Sequence, residues 1–210
     1  EHKMSALFIS VHPDNPQPRY INQICNILDE GKVAVLPTDS AYALCCKTEQ
    51  KQAVERIARI RQIDKHHNFT LLCRDLSELS TYAKVDNNIF RLLKHHIPGP
   101  YTFILPATKE VPRRLMNEKR KTIGMRIPSN AILDAIIDKL NEPLMSCSLI
   151  LPGQTEALGD PVTINDEIGS LVDVIVDGGQ LSVNPTTVIS FEDDVPAVVR
   201  VGAGDPSDFE

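Results

Sequence analysis

Apolar and polar positions along this chain recur with two different periods, one helical and one extended. Pro18 opens a stretch in which Ile21, Ile24, Cys25 and Leu28 share one helical face, and Gly31 closes it. Val33-Ala34-Val35-Leu36 is a continuous apolar run stopped by Pro37, which predicts a short buried strand. Tyr42 to Cys46 predicts a second strand. Lys51 to Arg61 predicts a helix with Val54, Ile57, Ala58 and Arg61 on one stripe. Phe69 to Cys73 reads as a strand, and Asp75 followed by Glu78 has the capping-box spacing that starts a short helix. Asn87 to His95 repeats the helical period through Ile89, Leu92 and Leu93, after which Pro98-Gly99-Pro100 forces a loop.

Further on, strands are predicted at Tyr101 to Leu105, Thr122 to Ile127, Leu144 to Ile150 and Val172 to Asp177. Ser129 is the expected cap of a helix carrying Ile132, Ile136, Ile137 and Leu140. Pro152 to Pro161 reads as a flexible connection and Thr163 as the start of a short helix. Gly178-Gly179 marks a turn. Thr187 to Phe191 and Ala197 to Val201 read as a closing hairpin around Glu192-Asp193-Asp194, and Gly202-Ala203-Gly204 as a plain turn. No linker or repeat divides the chain. The expectation is one α/β domain over residues 4–210, with a mixed twisted sheet. Glu1-His2-Lys3, ahead of Met4, reads as a remnant of cloning.

Charge changes this picture by sorting along the chain. The whole carries −6, yet Lys109 to Arg126 holds seven Lys/Arg against two acids. Thr155 to Glu210 holds twelve acids and one base, Arg200. A concentrated positive segment on an acidic body points to an anionic partner or to a solvated loop. Net −6 argues against coating DNA with the whole surface. No apolar run approaches the roughly 20 residues of a membrane span. Five cysteines without a Cys-x-x-Cys pair read as buried free thiols of a cytoplasmic protein.

Candidate chemistry is sparse. Neither a Walker-type glycine loop nor a Gly-x-Gly-x-x-Gly fingerprint occurs. The pairs His66-His67 and His95-His96 diverge as neighbours and suggest no metal site. In Ser146-Cys147-Ser148 alternation places both hydroxyls on one face, where they either line a pocket or are satisfied by neighbours. Leu36-Pro37-Thr38-Asp39-Ser40-Ala41-Tyr42 ends a buried strand and offers Thr, Asp and Ser at its tip. Such a tip is either a ligand site or a capped turn.

Taken in order, several strings resemble the YrdC-like family over roughly Gln17 to Gly204. They are Pro37-Thr38-Asp39, Arg61 closing a helix, Pro98-Gly99-Pro100-Tyr101-Thr102, Gly124-Met125-Arg126-Ile127-Pro128, Ser146-Cys147-Ser148, Pro185-Thr186-Thr187-Val188 and Val199-Arg200-Val201-Gly202. The strings His12 to Gln17, His67-Asn68-Phe69-Thr70-Leu71 and Lys109 to Met125 resemble its YciO branch most. The resemblance implies a twisted open sheet flanked by helices, with a positively charged concave cavity. It implies double-stranded RNA, tRNA or rRNA as a partner, and no membrane. The family's best understood members make threonylcarbamoyl-AMP from threonine, bicarbonate and ATP for tRNA modification. Carried over by position, Thr38, Arg61, Thr102, Arg126, Ser148, Thr186 and Arg200 would contact substrate or nucleotide. ATP or AMP with Mg²⁺ would be ligands, not tightly held cofactors. Lys109, Arg113, Arg114, Lys119, Arg120 and Lys121 would form a mobile basic rim for RNA at the pocket mouth.

The chain departs from the family pattern at three positions. Ile63 replaces the Arg of Lys-x-Arg, Ile150 replaces the Asn of Ser-x-Asn, and Asn130 stands where a His is common. Two lost hydrogen bonds to a charged ligand would remove roughly 3–6 kcal/mol if additive. Binding is therefore expected to outlast efficient synthesis, unless Lys65 or His67 with Arg61 supplies the missing charge.

Overall fold

The computed structural model describes residues 5–64, 67, 69–193 and 195–210. The expected remnant at residues 1–3, the Lys65 alternative, His66, Asn68 and the turn residue Asp194 lie outside the described residues. In chain order the elements are β1 (Leu7–Ser10), α1 (Pro18–Asp29), β2 (Ala34–Leu36), β3 (Ala43–Lys47), α2 (Lys51–Arg61), β4 (Thr70–Leu72), α3 (Leu76–Tyr82) and α4 (Asn87–Lys94). They continue with β5 (Tyr101–Pro106), β6 (Thr122–Arg126), α5 (Ala131–Leu140), β7 (Leu144–Ser148), α6 (Pro161–Ile168), β8 (Val174–Asp177), β9 (Thr187–Ser190) and β10 (Ala197–Arg200). The ten strands form one mixed sheet in the order β1-β8-β2-β3-β7-β4-β6-β5-β9-β10.

Local chemistry accounts for most boundaries. Asp75 accepts from the Glu78 amide and Glu78 from the Arg74 amide, so the carboxylate reaches one residue ahead of the cap. Asp86 caps α4 through the Ile89 amide. Three expectations are corrected. Asn130, not Ser129, caps α5, because its side chain accepts from the Leu133 amide while the Ser129 amide donates to Asp39. α6 starts at Pro161 behind an Asp160 cap, two residues before Thr163, as proline's preset φ favours at a helix start. The edge strand β1 has no counterpart among the predicted elements. Its Leu7 and Phe8 are exposed, and it is held by parallel pairing to β8.

The two faces of the sheet differ, and that difference creates the site. One register row runs Ile175, Val35, Leu44, Cys147, and a second runs Met145, Leu71, Met125, Phe103, Ile189. All belong to one apolar cluster, covered by α2, α3, α4 and α6. The row on the opposite face runs Val174, Ala34, Cys45, Ser146, Thr70, Gly124, Ile104, Ser190. Its first three residues lie beneath α1 and α5 in a second cluster. That cluster extends no further across the sheet than Leu72 and Leu144. Beyond them the row turns, Ile104 apart, to small and hydroxyl side chains, which suit a solvated surface and not a helix interface.

Candidate functional site

This uncovered half-face holds a cavity of about 380 Å³. Its floor is Thr70, Thr102, Ile104, Gly124, Ser146 and Ser148, and its walls include Arg61, His67, Ile150, Thr186, Val188, Val199 and Arg200. A side chain at 124 would fill the floor: a Cβ there would stand 2.7 Å from Thr70 Oγ1.

Arg61 is placed by the end of α2. Gln62 turns the chain back at φ 54°, and the Arg61 Nη1 donates to the Ser148 carbonyl at 2.6 Å. Arg200, at the end of β10, grips the β9 entry. Its Nε and Nη2 donate to the Thr186 carbonyl at 3.0 and 2.9 Å, and Nη2 also meets the Thr186 hydroxyl at 3.1 Å. That hydroxyl lies 2.7 Å from the Thr102 hydroxyl, so Arg200, Thr186 and Thr102 form one chain of polar contacts. Gly202 allows this approach, since a Cβ there would collide with the Pro185 and Thr186 carbonyls. The glycines of Gly202-Ala203-Gly204 thus permit close packing, more than a plain turn requires.

Five of the seven expected contact residues therefore line one cavity: Arg61, Thr102, Ser148, Thr186 and Arg200. The other two do not. Thr38 is buried and spends its hydroxyl on the Ala41 carbonyl at 2.6 Å and on the Ser40 amide. The tip after β2 is thus a buried capped turn, because its polar groups satisfy one another. Arg126 is buried as well, and its Nη2 donates to Asp39 at 2.5 Å. Burial pushes the Arg126 pKa down and Asp39 pushes it back up. Among the described residues its Nε has no partner, and neither does the buried Nε of Arg61. Ser146 and Ser148 share the cavity face as alternation predicts, while Cys147 belongs to the opposite core.

Of the three departures, only Ile150 faces the cavity. Ile63 packs against the main apolar cluster, so the two isoleucines do not act on one surface. Asn130 caps α5 and donates to the Thr38 carbonyl, a structural duty. Sequence reasoning passes over Thr70 and Gly124. A polar residue opening an apolar strand and a glycine inside another are the available signals.

The basic segment, expected as a mobile rim, is tied to the body of the fold at several points. Val111 and Leu115 are buried in the cluster beneath the face opposite the cavity. Asn117 folds its turn by accepting from the Lys119 and Arg120 amides. Arg114 donates to the Thr48 carbonyl at 2.7 Å and approaches Glu49, and Arg120 pairs with Glu192. Lys109, Arg113, Lys119 and Lys121 are exposed. None of the six rim residues lines the cavity; Arg113, Arg114 and Lys121 line a separate cleft with Met116 and Glu118.

A larger cleft of about 620 Å³ lies elsewhere, bordered by Arg74, Asp75, Asp134 and Asp138. Arg74 is already committed to Asp75, Asp138 and Asn141, so this cleft presents carboxylates and does not suit an anion. The five cysteines are all buried. Burial pushes Cys46 and Cys147 up to about 12 and Cys25 to about 11, which removes them as nucleophiles near neutral pH.

Residues 26–202 match the model of the Sua5_yciO_yrdC family, described as telomere recombination. The chain is 59% identical over 202 residues to the uncharacterised protein YciO of Escherichia coli strain K12, covering 96% of this chain and 98% of that one. The crystal structure of E. coli YciO superposes with a TM-score of 0.95 at 58% identity, over 98% of this chain and 100% of that chain. A threonylcarbamoyl-AMP synthase of Vibrio vulnificus strain YJ016 is 27% identical over 161 residues, 75% of this chain and 86% of that protein. The crystal structure of P. abyssi Sua5 complexed with L-threonine shares the fold at a TM-score of 0.86 and 23% identity, over 94% of this chain and 58% of that longer chain.

Proposed function

The chain belongs to the Sua5–YciO–YrdC family, on its YciO branch, and from that membership we propose that it binds a nucleotide or RNA phosphate in the cavity edged by Arg61 and Arg200. The observation that carries this reading is the lining itself. Two guanidinium groups face five hydroxyl side chains, and the lining contains no Asp or Glu among the described residues. Such a surface is positive and donor-rich, and it lacks a carboxylate to repel an anion. The aliphatic wall of Ile104, Ile150, Val188 and Val199 suits the apolar face of a nucleobase or sugar. Arg126, two residues beyond Gly124 on β6 and so on the same face, is held in a buried pair with Asp39. The exposed cations of the 109–121 segment offer a second surface to RNA phosphates, in keeping with a role in tRNA or rRNA modification or maturation. A-form RNA is recognised mainly through shape, phosphate and hydroxyl contacts, which needs clustered cations more than base-reading motifs. Calorimetry with ATP and AMP at low salt tests the cavity. Binding that Arg200→Ala weakens supports it; no heat from either nucleotide overturns it.

A second reading is favoured by the Vibrio relative, named a threonylcarbamoyl-AMP synthase. In that case the cavity would place a threonine carbamate against the ATP α-phosphate, with Arg61 and Arg200 stabilising transferred charge. Pyrophosphate release from ATP that requires both threonine and bicarbonate decides for synthesis. Ile150 weighs against it, since it brings no hydrogen-bond donor to the lining.

A further inference from the structure

A role for His67 rests on the anion reading of the cavity. His67 shares the cavity wall with Arg61 and follows the turn that ends α2. Its amide donates to the Asp64 carbonyl at 3.1 Å, and its ring meets Phe69 edge-on at 5.9 Å between centroids. Phe69 is itself buried in the main core, so the imidazole is held by backbone and ring together. The charged groups around it, among the described residues, are Arg61 at the end of α2, Asp64 in the turn and Arg200 at the end of β10. Burial, and then Arg61, pushes the imidazole below the usual histidine range, while Asp64 pushes it back. Burial and Arg61 both favour the neutral imidazole when no anion is bound. It is also the lining side chain able to change charge between about pH 5 and 8, the others that ionise being the two arginines and a Cys147 thiol that faces the core and sits at about 12.

We propose that His67 is a proton-coupled contact for the bound anion. A phosphate or sulfate held beside Arg61 draws one proton from solvent onto the imidazole, which then donates to an anion oxygen. The proton returns to solvent when the anion leaves, and no covalent bond changes. The contact supplies a donor that Ile150 does not bring to the cavity and that Ile63, packed on the core, does not reach.

Linkage fixes the direction of the pH dependence. An anion favours the charged imidazole, so the bound-state pKa lies above the free-state value. Affinity is highest below the free-state pKa and falls as pH rises through the bound-state pKa. Each unit between the two is worth about tenfold in affinity.

Sulfate is the probe, since it stays fully ionised across this range and leaves only the protein to titrate. Calorimetry in two buffers of different ionisation heat should show proton uptake that peaks midway between the free- and bound-state pKa values, approaching one per sulfate where the two lie well apart, and none in His67→Gln. The His67 ring resonance, identified by its loss in His67→Gln, should titrate at higher pH when sulfate is added. Arg200→Ala should weaken sulfate binding and keep the proton uptake. Sulfate binding that is sensitive to Arg200→Ala but shows the same proton uptake in His67→Gln overturns this inference and leaves the anion site standing. A His67 resonance in the wild-type protein that does not move with saturating sulfate does the same. Failure of both sulfate and ATP to bind at any pH overturns the anion site and this inference together.

Discussion

The Arg126 guanidinium donates to the Asp39 carboxylate at 2.5 Å, joining the end of β6 to the turn after β2. Asp39 accepts from the Ser129 amide with its other oxygen, so one carboxylate also fixes the entry to α5. Both side chains are nearly out of solvent, at 6% and 9% exposure. A buried charge pair gains little over an apolar pair, but breaking it strands a charge. Asp39→Ala should therefore cost about 3–5 kcal/mol of stability. The double variant Asp39→Leu with Arg126→Met should recover much of that loss. Urea unfolding of the three proteins checks the order. A mild Asp39→Ala with a worse double variant contradicts it.

Arg200 offers a different experiment because it is exposed at the end of β10 and acts through the Thr186 carbonyl and hydroxyl. Two of its nitrogens grip one acceptor, a geometry an ammonium does not reproduce. Arg200→Lys should keep the charge yet lose most of the nucleotide affinity, about tenfold or more, since a hydrogen bond to a charged group is worth about 1.5–3 kcal/mol. Thr102→Val should lose less, because it removes a bond to Thr186 and no charge. Equal affinities for Arg200→Lys and wild type, measured by calorimetry, would place the ligand away from this arginine.

The basic segment separates into exposed and committed cations. Lys109, Arg113, Lys119 and Lys121 are exposed, whereas the Arg114 side chain is only 33% exposed and Arg120 pairs with Glu192. Arg113→Glu with Lys119→Glu should leave folding intact and weaken binding of double-stranded RNA. The slope of log affinity against log salt should shrink by about 0.7–0.9 for each phosphate no longer neutralised. Filter binding across a salt series reads both numbers. Unchanged affinity and slope would make this segment a solvated face.

How legible each feature is in the sequence depends on how local its cause is. α2 is readable residue for residue, because period and boundary both lie in Lys51–Arg61. The strands of the central sheet are placed to within a residue or two, since their apolar runs are short and bounded by proline and glycine. β1 escapes because its exposed Leu7 and Phe8 carry no burial pattern, and only pairing with the distant β8 makes it a strand. The site is legible as residue types at motif positions but not as geometry. Thr38 and Arg126 stand beside Thr102 and Arg200 in the motifs, yet the fold turns the first two into internal partners of Ala41 and Asp39. Nothing in the local sequence distinguishes an arginine that faces a cavity from one that faces a carboxylate 87 positions away. Likewise Ile63 and Ile150 look equivalent as losses of polar groups, and only the packing shows that one faces core and the other cavity.

The contrast between the two isoleucines can be measured. Ile150→Asn restores an amide donor on the cavity wall, where water and ligand can reach it. It should raise anion affinity by up to about tenfold, the value of one added charge-assisted bond, with stability nearly unchanged. Ile63→Arg instead forces a guanidinium against the main apolar cluster. It should lower stability by about 1–3 kcal/mol and leave affinity where it was. If threonine- and bicarbonate-dependent pyrophosphate release appears in Ile150→Asn and not in Ile63→Arg, the isoleucine at 150 is what separates this cavity from a synthase. If Ile63→Arg gains affinity and Ile150→Asn does not, the cavity wall has been assigned to the wrong isoleucine.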